Sequence, residues 1–391
     1  MDARFSDEQE LLRESARDFL ARECPMSLVR EVSDDGKELP AELWSRLAEL
    51  GWLGLALPAE HGGAGLGALE LAIVLEETGR VLLPGPFFSA VALGASAVAL
   101  AGTPEQRARL LPPLAAGRRR ATLALLDEGG SWEAAGVRAV ARREGADGAL
   151  RVDGAKRFVL DAQGADALVV PVRLEESGSG DAELALAWID ARAEGVSIRC
   201  LDYVDATRRP CHVDLSDVRV AAEDVLGAPG TGGAALARIL DRARVALCAE
   251  TCGGAARVLE LAVEYAKTRE QFGRPIGSFQ AIQHRCADML SDVEAMRSAT
   301  WYAAWAVASG APDAHRAACM AKAYCADAGP RVAGAGIQIF GGQGFTWEQD
   351  LHLYYKRAKA AELQLGDATW HRELVARELV DGRPGPERDG R

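Results

Sequence analysis

Apolar residues from Ser6 to about Gly117 recur at three- and four-residue steps: Leu11, Leu12, Ala16, Phe19 and Leu20, then Leu43, Leu47 and Leu50 before Gly51. That period is one face of an α-helix, so residues 1–118 are expected to form an all-helical domain. Between Ala121 and Val225 the period drops to two, in Leu150-Arg151-Val152-Asp153, Ala167-Leu168-Val169-Val170, Leu184-Ala185-Leu186-Ala187-Trp188 and Gly195-Val196-Ser197-Ile198. Such alternation buries one side of a strand. The pairs Asp147-Gly148 and Asp153-Gly154 read as hairpin turns, so residues 119–226 are expected to form a small antiparallel β domain. Helical spacing returns over residues 227–381, with Val245, Ala249, Cys252, Ala256, Leu259 and Val263 on one face and Met289, Val293, Met296 and Thr300 on another. A strand-free helix bundle follows, its long apolar faces also suited to pairing with another subunit. Residues 382–391, rich in Gly, Pro and charge, are expected to be a disordered tail. The fold class is α+β.

At 391 residues the chain can bury several cores, and the formal charge of −12 with interleaved bases argues against a nucleic-acid surface. The first residues lack the apolar core of a signal peptide, and the run from Val91 to Ala101 is too short for a membrane span. A cytoplasmic protein without a membrane partner is expected. The eight cysteines, Cys24, Cys200, Cys211, Cys248, Cys252, Cys286, Cys319 and Cys325, make no CxxC pair and sit mostly in apolar stretches, as reduced buried thiols do. Cys248 and Cys252 lie one helical turn apart but no histidine pair joins them, so no metal site is expected.

The chain has no strand followed by G-x-G-x-x-G, no P-loop, no H-E-x-x-H and no G-x-S-x-G, which removes the usual dinucleotide folds, P-loop enzymes, zincins and serine hydrolases. The informative stretch is Arg269-Glu270-Gln271-Phe272-Gly273-Arg274-Pro275, where a helix ends in a glycine turn before Phe279-Gln280 opens the next. Arg269 and Gln271 offer forked donors suited to a pyrophosphate, and Phe272 can cover a ring. In isolation the same segment would be read as a capped helix hairpin with a solvated arginine. Downstream, Gln338-Ile339-Phe340-Gly341-Gly342-Gln343-Gly344 pairs a glutamine with a glycine-rich turn that lets backbone approach a ligand.

These two segments, in this order, resemble the FAD-contacting motifs of the acyl-CoA dehydrogenase family. Leu57 to Gly65 and Ile73 to Arg80 are similar to landmarks of that family's first domain, so the resemblance spans nearly the whole chain. It implies the family fold, with a C-terminal four-helix bundle, and a dimer or tetramer in which Arg269, Gln271, Phe272, Gln338, Gly341 and Gly342 reach the adenosine diphosphate half of FAD across a subunit interface. It also implies an acyl-CoA substrate of fatty or steroid side-chain type, with Arg244 walling the substrate pocket.

The resemblance fails at the base. The family removes a proton beside the thioester with a glutamate, which needs a desolvated carboxylate to act near neutral pH. Aligning Ala358-Lys359 and Gly366 places Leu365 at one glutamate position, and the other, beside Arg244, is Ala243. Asp241 and Asp367 are the nearest carboxylates that could substitute. The loop that normally binds the flavin ring is only approximated by Leu126 to Trp132, with Ser131 as its hydroxyl, and Phe158-Val159-Leu160 replaces a strand that ends in Thr or Ser. Three readings follow: an active dehydrogenase with a moved carboxylate, a catalytically deficient accessory subunit of an α2β2 dehydrogenase that completes a partner's FAD site, or a flavin monooxygenase relative that needs no base.

Overall fold

A computed structural model describes residues 5–145, 148–175, 184–228 and 230–380. Asp147 and the 382–391 tail lie outside the described residues.

The first helices are α1 (Asp7–Glu23), α2 (Met26–Asp35), α3 (Ala41–Glu49), α4 (Ala68–Arg80), α5 (Ser96–Ala101) and α6 (Pro104–Ala115). Local chemistry sets two of their starts. Ser6 and Thr103 each accept from the backbone N–H three residues on, where Gln9 and Gln106 return the bond, and Pro104 supplies a preset φ at the first turn of α6. Ala16 and Leu20 are fully buried as the period requires, but Leu11 is exposed.

Strands β1 (Ala121–Leu123), β2 (Val140–Glu144), β3 (Ala149–Leu160), β4 (Ala167–Leu174), β5 (Leu184–Asp190), β6 (Val196–Cys200), β7 (Pro210–Val220) and β8 (Val225–Leu226) follow. They form one eight-stranded sheet in the order β6-β7-β3-β2-β4-β5-β8, with β1 added on β4. The sheet is mixed: β4 pairs in parallel with β1 and β2 where an antiparallel domain was expected. Asp153-Gly154 is no turn. β3 runs straight through it, and the register against β7 shifts between Val152 and Gly154, a bulge that Gly154 accommodates at φ +155°. The sheet's core is Val, Leu, Ile and Ala from these strands.

Helices resume as α7 (Gly232–Thr268), then a short hairpin of β9 (Glu270–Gln271) and β10 (Arg274–Pro275), and α8 (Gln280–Ser309), α9 (Ala314–Phe340), α10 (Leu351–Leu363) and α11 (Ala368–Leu379). The hairpin corrects the expectation of a strand-free region. Met289, Val293, Met296 and Thr300 are buried together as their spacing predicts, and α7 is buried on more than the expected face, with Leu247, Cys248 and Val258 inside as well.

Helix gives way to strand between Ala115 and Ala121, and strand to helix between Leu226 and Gly232. Contacts among the described residues group the chain as two compact units, one joining those within 5–37, 68–83 and 244–380 and the other those within 38–67 and 84–243. The helices of the first hundred residues are thus shared between a helical unit and a sheet-containing unit. No helix among the described residues is long and apolar enough to cross a membrane.

Candidate functional site

The helical unit carries both segments expected at a cofactor. After α7 ends, Phe272 and Gly273 close the β9–β10 hairpin at φ +55° and +78°. Two successive left-handed residues are what a two-residue hairpin turn demands, and here the first is a phenylalanine, which pays for that conformation in steric strain. Gln271 pairs with Arg274 and Glu270 with Pro275, and the Ile276 N–H donates to the Arg269 carbonyl at 2.8 Å. The turn pushes Phe272 out until its residue is 92% exposed, and Arg269 and Gln271 are exposed beside it.

The second segment leaves the end of α9. Gln338 is exposed on the last turn, and Gly341 takes φ +61° and ψ −136°, backbone that is open to glycine alone. A β-carbon at Gly341 or Gly342 would meet nothing within 4 Å, so this backbone faces open space. The two segments are fastened together. Tyr265 stacks on Phe340 with ring centroids 4.0 Å apart and planes 11° from parallel, and its hydroxyl donates to Gln343 Oε1 at 2.7 Å. Phe345 and Trp347, 85% and 61% exposed, add aromatic surface, Trp347 stacked on His352 at 4.7 Å with Lys356 Nζ 4.4 Å from its ring centre.

At Leu365, where the resemblance expects a glutamate, the side chain is aliphatic and offers no carboxylate. Leu365 is buried at φ +59° in the turn between α10 and α11. Lys322 of α9 donates Nζ to the carbonyls of Gly366 at 2.7 Å and Glu362 at 3.1 Å, satisfying acceptors that the end of α10 leaves open. His371 Nε2 lies 2.9 Å from the Leu365 carbonyl, which assigns the ring proton to that nitrogen. Asp367 caps α11, its carboxylate accepting from the Trp370 N–H at 2.8 Å, and Arg244 lies over the Trp370 ring at 5.3 Å. Ala243, where the resemblance expects the other glutamate, is fully buried, and Asp241 is buried two residues earlier on α7.

Burial pushes Lys322 down to about 8. Burial, with the charges of Arg244 and Lys322 behind it, pushes His371 down to about 2. Below pH 6.5 the unfolded chain therefore binds a proton at this position that the folded chain refuses, and stability falls as pH drops from 6.5 toward 2. His371→Gln, which keeps a donor but cannot titrate, is expected to flatten this fall by up to about 1.4 kcal/mol per pH unit. Urea midpoints of both proteins across that range check it; parallel curves would remove His371 as the source.

In the sheet-containing unit, Asp127 is buried and held by Lys156 Nζ at 2.8 Å and the Arg138 N–H at 2.9 Å. This pair fixes the start of the Leu126 to Trp132 loop, but the Ser131 hydroxyl turns back to accept from the Glu133 N–H at 3.3 Å. Phe158 is half exposed at φ +52°, where β3 shifts register between Lys156 and Val159, and Leu160 points into the core. Among the described residues no group of three or more His, Cys, Asp or Glu is placed to hold a metal, and Cys252 and Cys325 instead flank the Thr300 hydroxyl at 3.5 and 3.6 Å.

The residues fit FAD at one end. The exposed hairpin and the open glycine turn suit an adenosine diphosphate, whereas Leu160 offers the flavin ring no hydroxyl and the Ser131 hydroxyl accepts from its own loop while keeping its O–H to donate. Sequence reasoning missed Lys322, His371 and the Tyr265–Phe340–Gln343 fastening. A lone charge at Lys322 between Cys319 and Cys325, in an alanine-rich helix, was the available signal for the first.

Comparison with known proteins agrees with this anatomy. Residues 6–118 match the acyl-CoA dehydrogenase N-terminal domain and residues 230–380 the acyl-CoA dehydrogenase C-terminal domain. A probable acyl-CoA dehydrogenase of Bacillus subtilis, YngJ, is 30% identical over 97% of this chain and 100% of its own. The ChsE4–ChsE5 complex from Mycobacterium tuberculosis is similar at TM-score 0.88 and 30% identity, covering 98% of this chain and 100% of that one. A Tcur3481–Tcur3483 steroid ACAD variant is similar at TM-score 0.86 and 33% identity, covering 96% and 98%. The chain belongs to the acyl-CoA dehydrogenase family, FAD-dependent oxidoreductases that dehydrogenate acyl-CoA thioesters.

Proposed function

We propose that this chain is the accessory subunit of a mixed α2β2 acyl-CoA dehydrogenase, lending its hairpin edge to FAD held by a second family member that carries the base. The observation that carries this reading is the split between its two ends. Leu365 and Ala243 are buried where a carboxylate would be needed, while Arg269, Gln271 and Phe272 stand exposed at the hairpin edge. Arg269 and Gln271 would donate to the pyrophosphate, Phe272 would cover a ring, and Gln338, Gly341 and Gly342 would let backbone approach the ribose. In the mixed assembly the partner's flavin would accept the hydride. The exposed Phe345 ring and the outer face of Trp347 are the kind of surface a subunit covers. Likeness to the ChsE4–ChsE5 complex supports a two-chain assembly, and likeness to a steroid ACAD supports a ring-bearing acyl-CoA as substrate.

The test is to purify the chain alone, measure its flavin absorbance per protein, and add acyl-CoAs without oxygen. Little flavin and no bleaching are expected. Stoichiometric flavin that bleaches would instead favour an autonomous dehydrogenase, and the buried carboxylate of Asp241 would then be the first base to examine, by Asp241→Asn. Asp367 is a weaker alternative because its carboxylate already caps α11.

A further inference from the structure

We infer that Cys200 and Cys211 form a reversible disulfide on exchange with low-molecular-weight disulfides, a modification site on the sheet. The two cysteines face each other directly across β6 and β7. Their position in the ladder decides what they can do. Ser216 N–H donates to the Gly195 carbonyl and Leu201 N–H to the Pro210 carbonyl, so the hydrogen-bonded pairs fall on odd residues of β6, and Cys200–Cys211 is a non-hydrogen-bonded pair. In such a pair the α-carbons stand about 4.5 Å apart, inside the ~4.4–6.8 Å span of disulfides. The sulfurs are 3.7 Å apart already, so side-chain rotation and a small approach suffice to reach the bond.

The two thiols are unlike. Cys200 is exposed and Cys211 buried, its Sγ 2.9 Å from Gln163 Oε1. Burial, and after it the neighbouring Cys200, pushes the Cys211 thiol up to about 12. The order of reaction follows. The Cys200 thiolate attacks one sulfur of an external disulfide and expels one thiolate; Cys211 then loses its proton and attacks the Cys200 sulfur, expelling the second. The pair is oxidised by two electrons, and the external disulfide leaves as two thiols.

The bond would close the neck of a loop that is already ordered. Within residues 201–210, Asp205 accepts from the Thr207 N–H at 3.1 Å, Gly85 N–H donates to the Thr207 carbonyl at 3.0 Å, and Arg208 lies 4.6 Å from the Phe88 ring centre. On its other side Cys211 pairs with Val159, the residue after the exposed Phe158, so the crosslink would tether the strand at the flavin-ring end of the sheet.

The experiment treats the full chain with glutathione disulfide, blocks remaining thiols under denaturing conditions and maps the peptides by mass. The expected result is a Cys200–Cys211 linked peptide, lighter by two hydrogen atoms and reversed by dithiothreitol. Cys211→Ser is expected to stop at a lasting glutathione adduct on Cys200, and Cys200→Ser to leave position 211 unmodified. A stable adduct on Cys200 in the unaltered chain, or no reaction at either cysteine, would overturn the inference. Flavin content does not enter the readout, so this result stands apart from the accessory-subunit reading.

Discussion

Gly253→Ala is expected to unfold at a much lower urea concentration than the parent chain, at or beyond the top of the ~1–3 kcal/mol that overpacking a core usually costs. Its neighbour Gly254→Ala is expected to equal the parent or exceed it by up to about 1 kcal/mol, the gain in helix propensity. The difference lies in how α4 crosses α7. A β-carbon on Gly253 would stand 1.8 Å from the Glu76 carbonyl oxygen, and one on Gly79 would stand 1.9 Å from that of Glu250. Both obstacles are helix backbone, so no rotamer change relieves them and the helices must part. Parting them strains the ion pairs at the crossing: Arg357–Glu250, at 3.3 Å with both side chains buried, and Arg297–Glu76 at 2.9 Å. Outright loss of one member of a buried pair costs about 3–5 kcal/mol, so even partial disruption is felt. At Gly254 the nearest atoms to an added β-carbon are 3.6 and 3.8 Å away, ordinary contact. Urea melts followed by circular dichroism check the pair, and equal midpoints would mean that α4 and α7 do not approach this closely.

These glycines show what the sequence could and could not tell. Periodicity found the helices and strands because burial imposes it, and Met289, Val293, Met296 and Thr300 fell inside as their spacing required. Periodicity does not report which helix lies against which, so the α4–α7 crossing stayed hidden in ordinary-looking Gly79 and Gly253. Turn chemistry misled at Asp153-Gly154, since a glycine serves a bulge as readily as a hairpin. The candidate site was proposed from its motifs, Arg269 to Pro275 and Gln338 to Gly344, and from the residues at the expected glutamate positions, Leu365 and Ala243. Its posture was not. Phe158, Phe272 and Leu365 all adopt positive φ, a conformation bulky residues avoid and no propensity predicts, and each sits at one of the three places where cofactor or base is expected. The Leu365 turn is held by Lys322 from α9 and by His371 from α11, the helix that the turn opens; the lysine contact, across 44 residues, is a tertiary feature that only the fold brings about.

Arg269→Ala, placed in the proposed assembly of this chain with a base-carrying family member, is expected to release FAD about 10- to 100-fold more readily, the loss of charge-assisted hydrogen bonds worth about 1.5–3 kcal/mol. Arg269→Lys keeps the charge without the planar fork, and an intermediate loss is expected. Arg269 is exposed, so this chain's own folding should hold. Its location makes the result diagnostic. The hairpin beside it is closed by its own ladder and fastened through Tyr265 to the glycine turn, and Phe272 is 92% exposed at its tip, while Arg269 itself is exposed and, of its donors, has only the backbone N–H engaged, on the Tyr265 carbonyl, among the described residues. If the hairpin serves a partner, the mutation empties a flavin site whose base and ring contacts lie on the other polypeptide, and turnover falls with FAD content while added FAD restores it. The measurement is protein-bound flavin after gel filtration, with turnover at rising FAD concentration. Unchanged retention in Arg269→Ala would show that the edge does not reach the cofactor, and the accessory role would fail with it.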